Sequence, residues 1–397
     1  LRENMSDPVP SSAIYDATTG GLSVIVITGG STGQVLTLQA DGTYAPATPS
    51  GGVTGTGSVD NAALRADGTG GATLQGSSII INDNLTASPN NTVNHACIEA
   101  TGGTTNVSVS IKPKGSGAFC LSAPDGTSTG GNARGANAVD LQTTRSAANQ
   151  VASGDGSFLS GRRSRASGAS SFCFGDDSTA TAQFSVAIGC FVNSTNYGAV
   201  SLGINGAASG NQSLSLSMGN GGTASGLKSF ILGEGVSSAT TTWATGFGVL
   251  ADRQAMAAYA QGAFAANGDA QKIEWILRRK TTDATPTTMM ADGSSVRLTI
   301  TSGKICFANV LICGIKSDGS AAACYKRKVA IKNVGGTTSL VGSVETIGTD
   351  IEDNASTDVA ITADNTNDAL QINVTGITSE TWRWVAVVEG LEIAYGT

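Results

Sequence analysis

Five-residue phrases ending in glycine recur through the middle of the chain at a nearly fixed interval. They are SFLSG (157–161), SFCFG (171–175), SVAIG (185–189), AVSLG (199–203), SLSMG (215–219) and SFILG (229–233). The closing glycines, Gly161, Gly175, Gly189, Gly203, Gly219 and Gly233, are separated by 14, 14, 14, 16 and 14 residues. Each phrase alternates in the period-two pattern of a short strand with one buried face. Seven residues before a closing glycine stand Gly154, Gly168, Ala182 and Asn196, and Gly226 repeats the offset later. Glycine and asparagine tolerate positive φ, so a second tight turn is expected halfway through each unit. Fourteen residues then hold two strands and two turns, which is one coil of a β-solenoid.

Three consequences follow from that period. Phe172, Phe174, Phe184 and Val186 are expected on the inside of the coils. The two-residue insertion in the 16-residue step preserves strand parity and keeps the apolar face inside. Arg162, Arg163 and Arg165 precede Asp176 and Asp177 by about one repeat, so opposite charges are expected to stack on neighbouring coils. After Gly233 only degenerate copies follow, TWATG (242–246) and AYAQG (258–262), as in a terminal capping region.

A coil this small holds too few apolar side chains to offset its own ordering entropy. Burial of a second face against identical neighbours resolves this, with the solenoid axis along the oligomer axis. At ~4.8 Å per coil the rod would be roughly 30 Å long. The A-S-G-x-x-S-Φ-x-Φ-G pattern at this spacing resembles the left-handed β-roll head repeat of trimeric autotransporter adhesins, a repeat that also occurs in bacteriophage tail fibres. The resemblance covers about residues 150–262.

Composition agrees with many short strands and tight turns. Glycine supplies 53 of 397 residues, well above the usual ~7%. Charged residues make up 13%, about half the usual ~25%. A net charge of −7 argues against general binding to nucleic-acid phosphates. No run of 18 apolar residues is present, and the start, LRENMSDPVP, lacks the apolar stretch of a signal peptide. The cysteines are Cys97, Cys120, Cys173, Cys190, Cys306, Cys313 and Cys324, an odd count without a CxxC pair. Reduced thiols and assembly in a cytoplasm fit this better than a disulfide framework. His95 is the only histidine, which argues against histidine-based zinc sites and Ser-His-Asp triads.

The flanks carry further resemblances. STGQVLTLQADGTYAPATPSGG, within residues 1–52, and GSVDNAALRADGTGGATLQGSSIIINDN (57–84) resemble joints and thin intertwined β-segments of phage tail fibres. KPKGSG (112–117) and GGNARGANAVDLQ (130–142) resemble connectors before a β-roll. GDAQKIEWILRRKTTDATPTTMMADGSSVRLTI (268–300) and the ending TWRWVAVVEGLEIAYGT resemble a C-terminal domain common in phage tail proteins. Residues 272–397 hold 12 Lys/Arg and 14 Asp/Glu, nearly as many charges in 126 positions as the 27 that the first 271 residues hold. Eight strand-like runs there argue for an antiparallel β-sandwich or jelly-roll-like tip.

The expected fold class is all-β: an elongated homotrimeric fibre with an intertwined β shaft, a left-handed β-roll solenoid and a C-terminal antiparallel β-sandwich tip. The expected boundaries are 1–50 for a virion-attachment segment and linker, 51–149 for the shaft, 150–267 for the roll and 268–397 for the tip. The resemblance implies a bacteriophage tail fibre that attaches to a host cell through its distal tip. A trimeric adhesin would need a coiled-coil stalk and a lipid-facing anchor, and the charged final 50 residues do not suit one. The alternatives are a head or neck decoration fibre and a polysaccharide-depolymerising tailspike.

Candidate receptor contacts are few. Trp382 and Trp384 alternate on one strand face and read either as a sugar-stacking platform or as core. Tyr325, Lys326, Arg327 and Lys328 read as a surface group for an anionic glycan, or as the charges that solubilise an edge strand. The acidic residues Asp350, Glu352 and Asp353, and Asp364 to Asp368, match no EF-hand spacing and read as solvated loops. No catalytic residue, metal or cofactor is expected, and the chain reads as a non-enzyme. The expected partners are further copies of itself, phage tail, baseplate or adaptor proteins at the N-terminal region, and a host glycan or outer-membrane receptor. Nucleic acid and membrane insertion are not expected, and the expected location is the virion.

Overall fold

The computed structural model describes residues 106, 108–219 and 221–395, together with seven short strands among the first 105 residues. The chain divides into two units, 1–111 and 112–397. In the first, Ala13–Tyr15 pairs with Leu22–Val24, Val35–Leu38 with Tyr44–Ala47, and Thr73–Asn82 lies between Ala62–Asp67 and Cys97–Ala100, all antiparallel. The expected attachment segment, His95 and much of the expected shaft otherwise lie outside the described residues. All described elements are β-strands.

The second unit opens with a β-solenoid of about seven turns. Its rungs run parallel. Phe158–Arg162 pairs with Phe172–Asp176, that with Val186–Cys190, and so on through Val200–Ile204 and Leu214–Met218. A second column of short strands, from Arg165–Ala166 to Ala207–Ala208, keeps the same 14-residue step. Parallel pairing already links Phe119–Cys120 with Val139–Asp140, and Val139–Asp140 with the Phe158 rung. It also continues past Gly233, where the regular copies end, through Phe230–Ser237, Trp243–Ala251 and Ala257–Gln261. The TWATG and AYAQG segments are therefore true rungs.

Burial within the roll is the reverse of the expectation. Phe172, Phe174 and Val186 point outward, and Phe184 is exposed in a turn. The interior column is Leu159, Cys173, Ala187, Ser201, Ser215, Ile231, Ala244 and Ala258. Its neighbours are Ala166, Ala180, Ser194 and Ala208 on the second strand column, and Ser157, Ser171, Ser185, Ala199 and Ser213 before each rung. Alternation fixes which residues share a face but not which face turns inward. A coil this narrow admits mostly small side chains, with Leu159 and Ile231 the larger exceptions. Several of the buried hydroxyls are matched to the backbone: Ser157, Ser185 and Ser213 each donate 2.7 Å to the carbonyl three residues earlier, whereas those of Ser171, Ser201 and Ser229 have no partner. Such pairing makes a polar core tolerable.

Two further expectations are corrected. The halfway positive φ falls two residues later than expected, at Gly156, Ser170, Phe184, Gly198 and Gln212. Gly154 and Gly168 serve close approach instead, since a Cβ on Gly168 would lie 1.9 Å from the Ala182 carbonyl oxygen. Gly161, Gly175, Gly189 and Gly203 do form one column, but Ser217 follows Gly203 in register, not Gly219. The two-residue insertion lies between Met218 and Thr223, and the column resumes at Gly233 and Gly246.

The last rung hands over to an antiparallel body. Ala257, Ala258 and Tyr259 pair with Glu274, Ile273 and Lys272 of β1 (Ala270–Thr281). Next come β6 (Trp382–Ala394), β2 (Lys304–Lys316) and β3 (Ala322–Val334), each antiparallel to its neighbour. A second sheet centres on β5 (Ala369–Thr375), flanked by β4 (Asp358–Asp364) on one side and Thr287–Thr288 and Leu298–Thr299 on the other. Both sheets contribute to one apolar cluster that includes Trp275, Val310, Ile331, Trp384, Val359 and Ile372.

Candidate functional site

Strand alternation separates the residues singled out from the sequence. On β3, Tyr325 and Arg327 turn inward and are 4% and 7% exposed, while Lys326 is exposed and Lys328 half-buried. The Tyr325 hydroxyl donates to Glu352 Oε2 at 2.7 Å and lies 2.7 Å from Thr357 Oγ1. Burial pushes its phenol above the usual range. Arg327 makes a two-pronged ion pair with Asp350 at 2.6 and 2.8 Å, which holds the Asp350 carboxyl below its ordinary value. Lys328 pairs with Glu345. The four residues therefore do not form one surface group, and Lys326 is the member left open to solvent.

Trp382 and Trp384 are buried on β6, with ring centroids 5.5 Å apart and nearly parallel. Trp384 Nε1 donates to Thr281 Oγ1 and Trp382 Nε1 to Glu380, both at 3.0 Å. Gly314 faces this pair, where a Cβ would come within 2.3 Å of the Trp384 ring. Rings enclosed in this way belong to the core and offer no face to a sugar. The acidic residues nearby are also engaged: Glu352 and Asp350 as above, Asp353 by the Ala322 amide, and Asp364 by Asn367 and Arg297.

Exposed aromatic and apolar side chains lie elsewhere. Along the outside of the roll run Phe158 and Phe172, stacked at 4.9 Å, then Val186, Val200, Leu214, and Phe230 against Trp243 at 4.6 Å. One position further along the same face stand Phe174, Ile188, Leu232 and Tyr259, each at least 36% exposed. The outer face of the main body sheet is apolar too, with Ile276, Phe307, Leu311, Val385 and Leu391 exposed.

A groove forms where the last rungs meet β1. Trp243 and Tyr259, both largely exposed, line it with Lys272 and Glu274. An adjoining cleft of about 480 Å³ adds Gln254, Arg278 and Asp292. Glu274 and Glu389 stand directly opposite each other on β1 and β6, and Lys272 bonds Glu389 at 2.6 Å. That ion pair raises the Lys272 ammonium above its ordinary value. Asp292 is held low by the Ser295 hydroxyl and by backbone amides, so its oxygens are already committed. Flat aromatic faces beside opposed carboxylates and a lysine suit a polar ring-bearing molecule. Sequence reasoning passed over Trp243 and Tyr259; their place in the outward column of a degenerate rung was the available signal.

No protein-family model matches the chain, and no curated protein matches it. Among solved structures it is similar to the tailspike protein gp49 of the Acinetobacter baumannii bacteriophage Fri1, a capsular polysaccharide depolymerase, at 11% identity and a TM-score of 0.23, over 68% of this chain and 44% of that one. It is similar to the tailspike protein of Acinetobacter phage vB_ApiP_P1 at 11% identity and a TM-score of 0.21, over 64% and 58% of the two chains. The tailspike protein of Acinetobacter baumannii phage AM24 gives 11% and 0.21, over 69% and 52%. The chain thus spans about half the length of the structures it matches. The reading as a non-enzyme is withdrawn, because a polysaccharide depolymerase stands among these matches. Likeness this remote does not itself carry an activity to this chain.

Proposed function

We propose that this chain is a bacteriophage tail protein: a self-associating, trimeric β-fibre whose C-terminal body, a β-sandwich tip, engages a host surface molecule. The observation that carries the reading is the roll's burial pattern. Most of its larger apolar side chains form an outward stripe, and its interior is mainly serine and alanine, with Cys173, Leu159 and Ile231 among them. Such a stripe calls for a partner, and a further copy presents the same stripe in the same register. Three modest sites on one rod would gain avidity without tight individual binding. The test has two parts. Sedimentation of the full chain should give a trimer, and the purified protein should bind host cells and block phage adsorption. A monomer at micromolar concentration would end the fibre reading, while a trimer that neither binds nor blocks would end the receptor reading alone.

A second reading is favoured by the groove beside Trp243. As cross-strand neighbours, Glu274 and Glu389 have Cβ atoms ~4.5–5.5 Å apart, within reach of the carboxylate arrangement that cleaves glycosidic bonds. In this reading the chain is a depolymerising tailspike, and the groove stays open in the assembly. Release of oligosaccharide from host capsule, lost in Glu274→Gln and Glu389→Gln, would support it. Acrylamide access to Trp243 separates an open groove from a stripe covered by a neighbour.

A further inference from the structure

Cys313 on β2 and Cys324 on β3 are direct cross-strand partners. Their Sγ atoms are 2.7 Å apart. Directly opposed residues of an antiparallel pair have Cα atoms ~4.5–5.5 Å apart, inside the ~4.4–6.8 Å that a disulfide spans. Both thiols lie on the outer face of the sheet, Cys313 exposed and Cys324 half-buried. The inward residues beside them, Ile312 and Ala323, are core, so both strands are anchored and the two side chains are held facing each other. Cys173 and Cys306, by contrast, are fully buried, with thiols pushed up to about 11 and about 12 by burial. Among the described residues, no other two cysteine sulphurs are in contact.

We propose that Cys313 and Cys324 are a built site of covalent modification, a thiol pair that a small-molecule disulfide such as oxidised glutathione converts into a cross-strand disulfide within one chain. The exposed Cys313 thiolate attacks one glutathione sulphur, forming a mixed disulfide and expelling a glutathione thiolate. The Cys324 thiolate then attacks the Cys313 sulphur, closing the protein disulfide and expelling the second glutathione. The two protein thiols lose two electrons and two protons, and oxidised glutathione becomes two glutathione molecules. The second attack is fast because the sulphurs are already in contact.

Burial, with the facing Cys324 thiol, holds Cys313 up at about 11, so exchange is slow at neutral pH and is best followed in mildly alkaline buffer. The full chain is incubated with oxidised glutathione, alkylated and digested with trypsin without reduction. The expected product joins peptides 305–316 and 317–326 through Cys313 and Cys324, with two of the seven thiols lost. Fragment ions assign the link, and Cys306→Ser, which removes the other cysteine of peptide 305–316, leaves it unchanged. Cys324→Ser is expected to stop at the first step, with glutathione retained on Cys313. Free thiols at both positions, a mixed disulfide persisting in the unaltered protein, or links only between chains would each overturn the proposal.

Discussion

The roll and the body solve the same burial problem in opposite ways. The body places Trp275, Trp382 and Trp384 in a two-sheet core and leaves its charges mainly in edge loops and ion pairs. The roll places mainly serine and alanine inside and sets its phenylalanines, Trp243 and most of its leucines outside. Its cohesion comes from backbone ladders and from glycine columns against which neighbouring carbonyls stack. The body thus encloses its large apolar side chains, in a cluster that runs on into the last rungs of the roll. The roll leaves an apolar stripe uncovered on its outside.

That contrast can be broken most sharply at the glycine column. At Gly175, φ is +145° and a Cβ would lie 1.7 Å from the Gly189 carbonyl oxygen. Gly175→Val should cost more than ~4 kcal/mol and melt the roll; Gly319→Ala, at a body turn with open space around it, should cost about 1 kcal/mol. Circular-dichroism melts of the two variants decide the point. In the body, Trp384→Ala should cost about 3–5 kcal/mol by chemical denaturation, without weakening self-association in native buffer.

The outward stripe should behave in the other sense. Phe172→Ser should change the stability of a dissociated chain by less than about 1 kcal/mol. It should weaken self-association at least about tenfold, since each buried phenylalanine contributes ~1.5–3 kcal/mol. Equal sedimentation of variant and parent would remove the distinction between the two regions. The smallest effect is expected at the stacked charges. Arg162 holds the Asp176 carboxyl below its ordinary value. A depressed carboxylate stabilises the fold above its unfolded pKa of ~3.9 and loses that contribution as pH falls through the folded value. Asp176→Asn should flatten the acid side of the stability curve slightly and leave neutral pH nearly unchanged.

Much of the roll was legible in sequence, because a 14-residue period acts on the backbone directly. Arg162 and Arg163 do meet Asp176, and Arg163 also meets Asp177 at 2.5 Å. Arg165 instead stands opposite Thr179. What the period could not settle was the inward face: Phe172 and Cys173 alternate identically under either choice, and only the width of the coil selects the smaller. Gly219 misled for a related reason. It closes a phrase that looks regular, but the pairing follows Ser217 and the extra residues loop out. On β3, four consecutive residues suggested one surface group, whereas a strand necessarily divides Tyr325 and Arg327 from Lys326 and Lys328. The groove at Trp243 depends on the hand-over from Ala257–Tyr259 to β1, a long-range pairing with no local signature.

The antiparallel hand-over also governs what happens at the end of a stack. A parallel solenoid that simply stopped would display a row of unpaired amides and carbonyls matching the first row of any identical stack, an invitation to open-ended polymerisation. Here Glu274, Ile273 and Lys272 occupy that row in the reverse direction. At this end, therefore, growth is terminated by the chain itself, and rod length becomes a property encoded by the number of repeats.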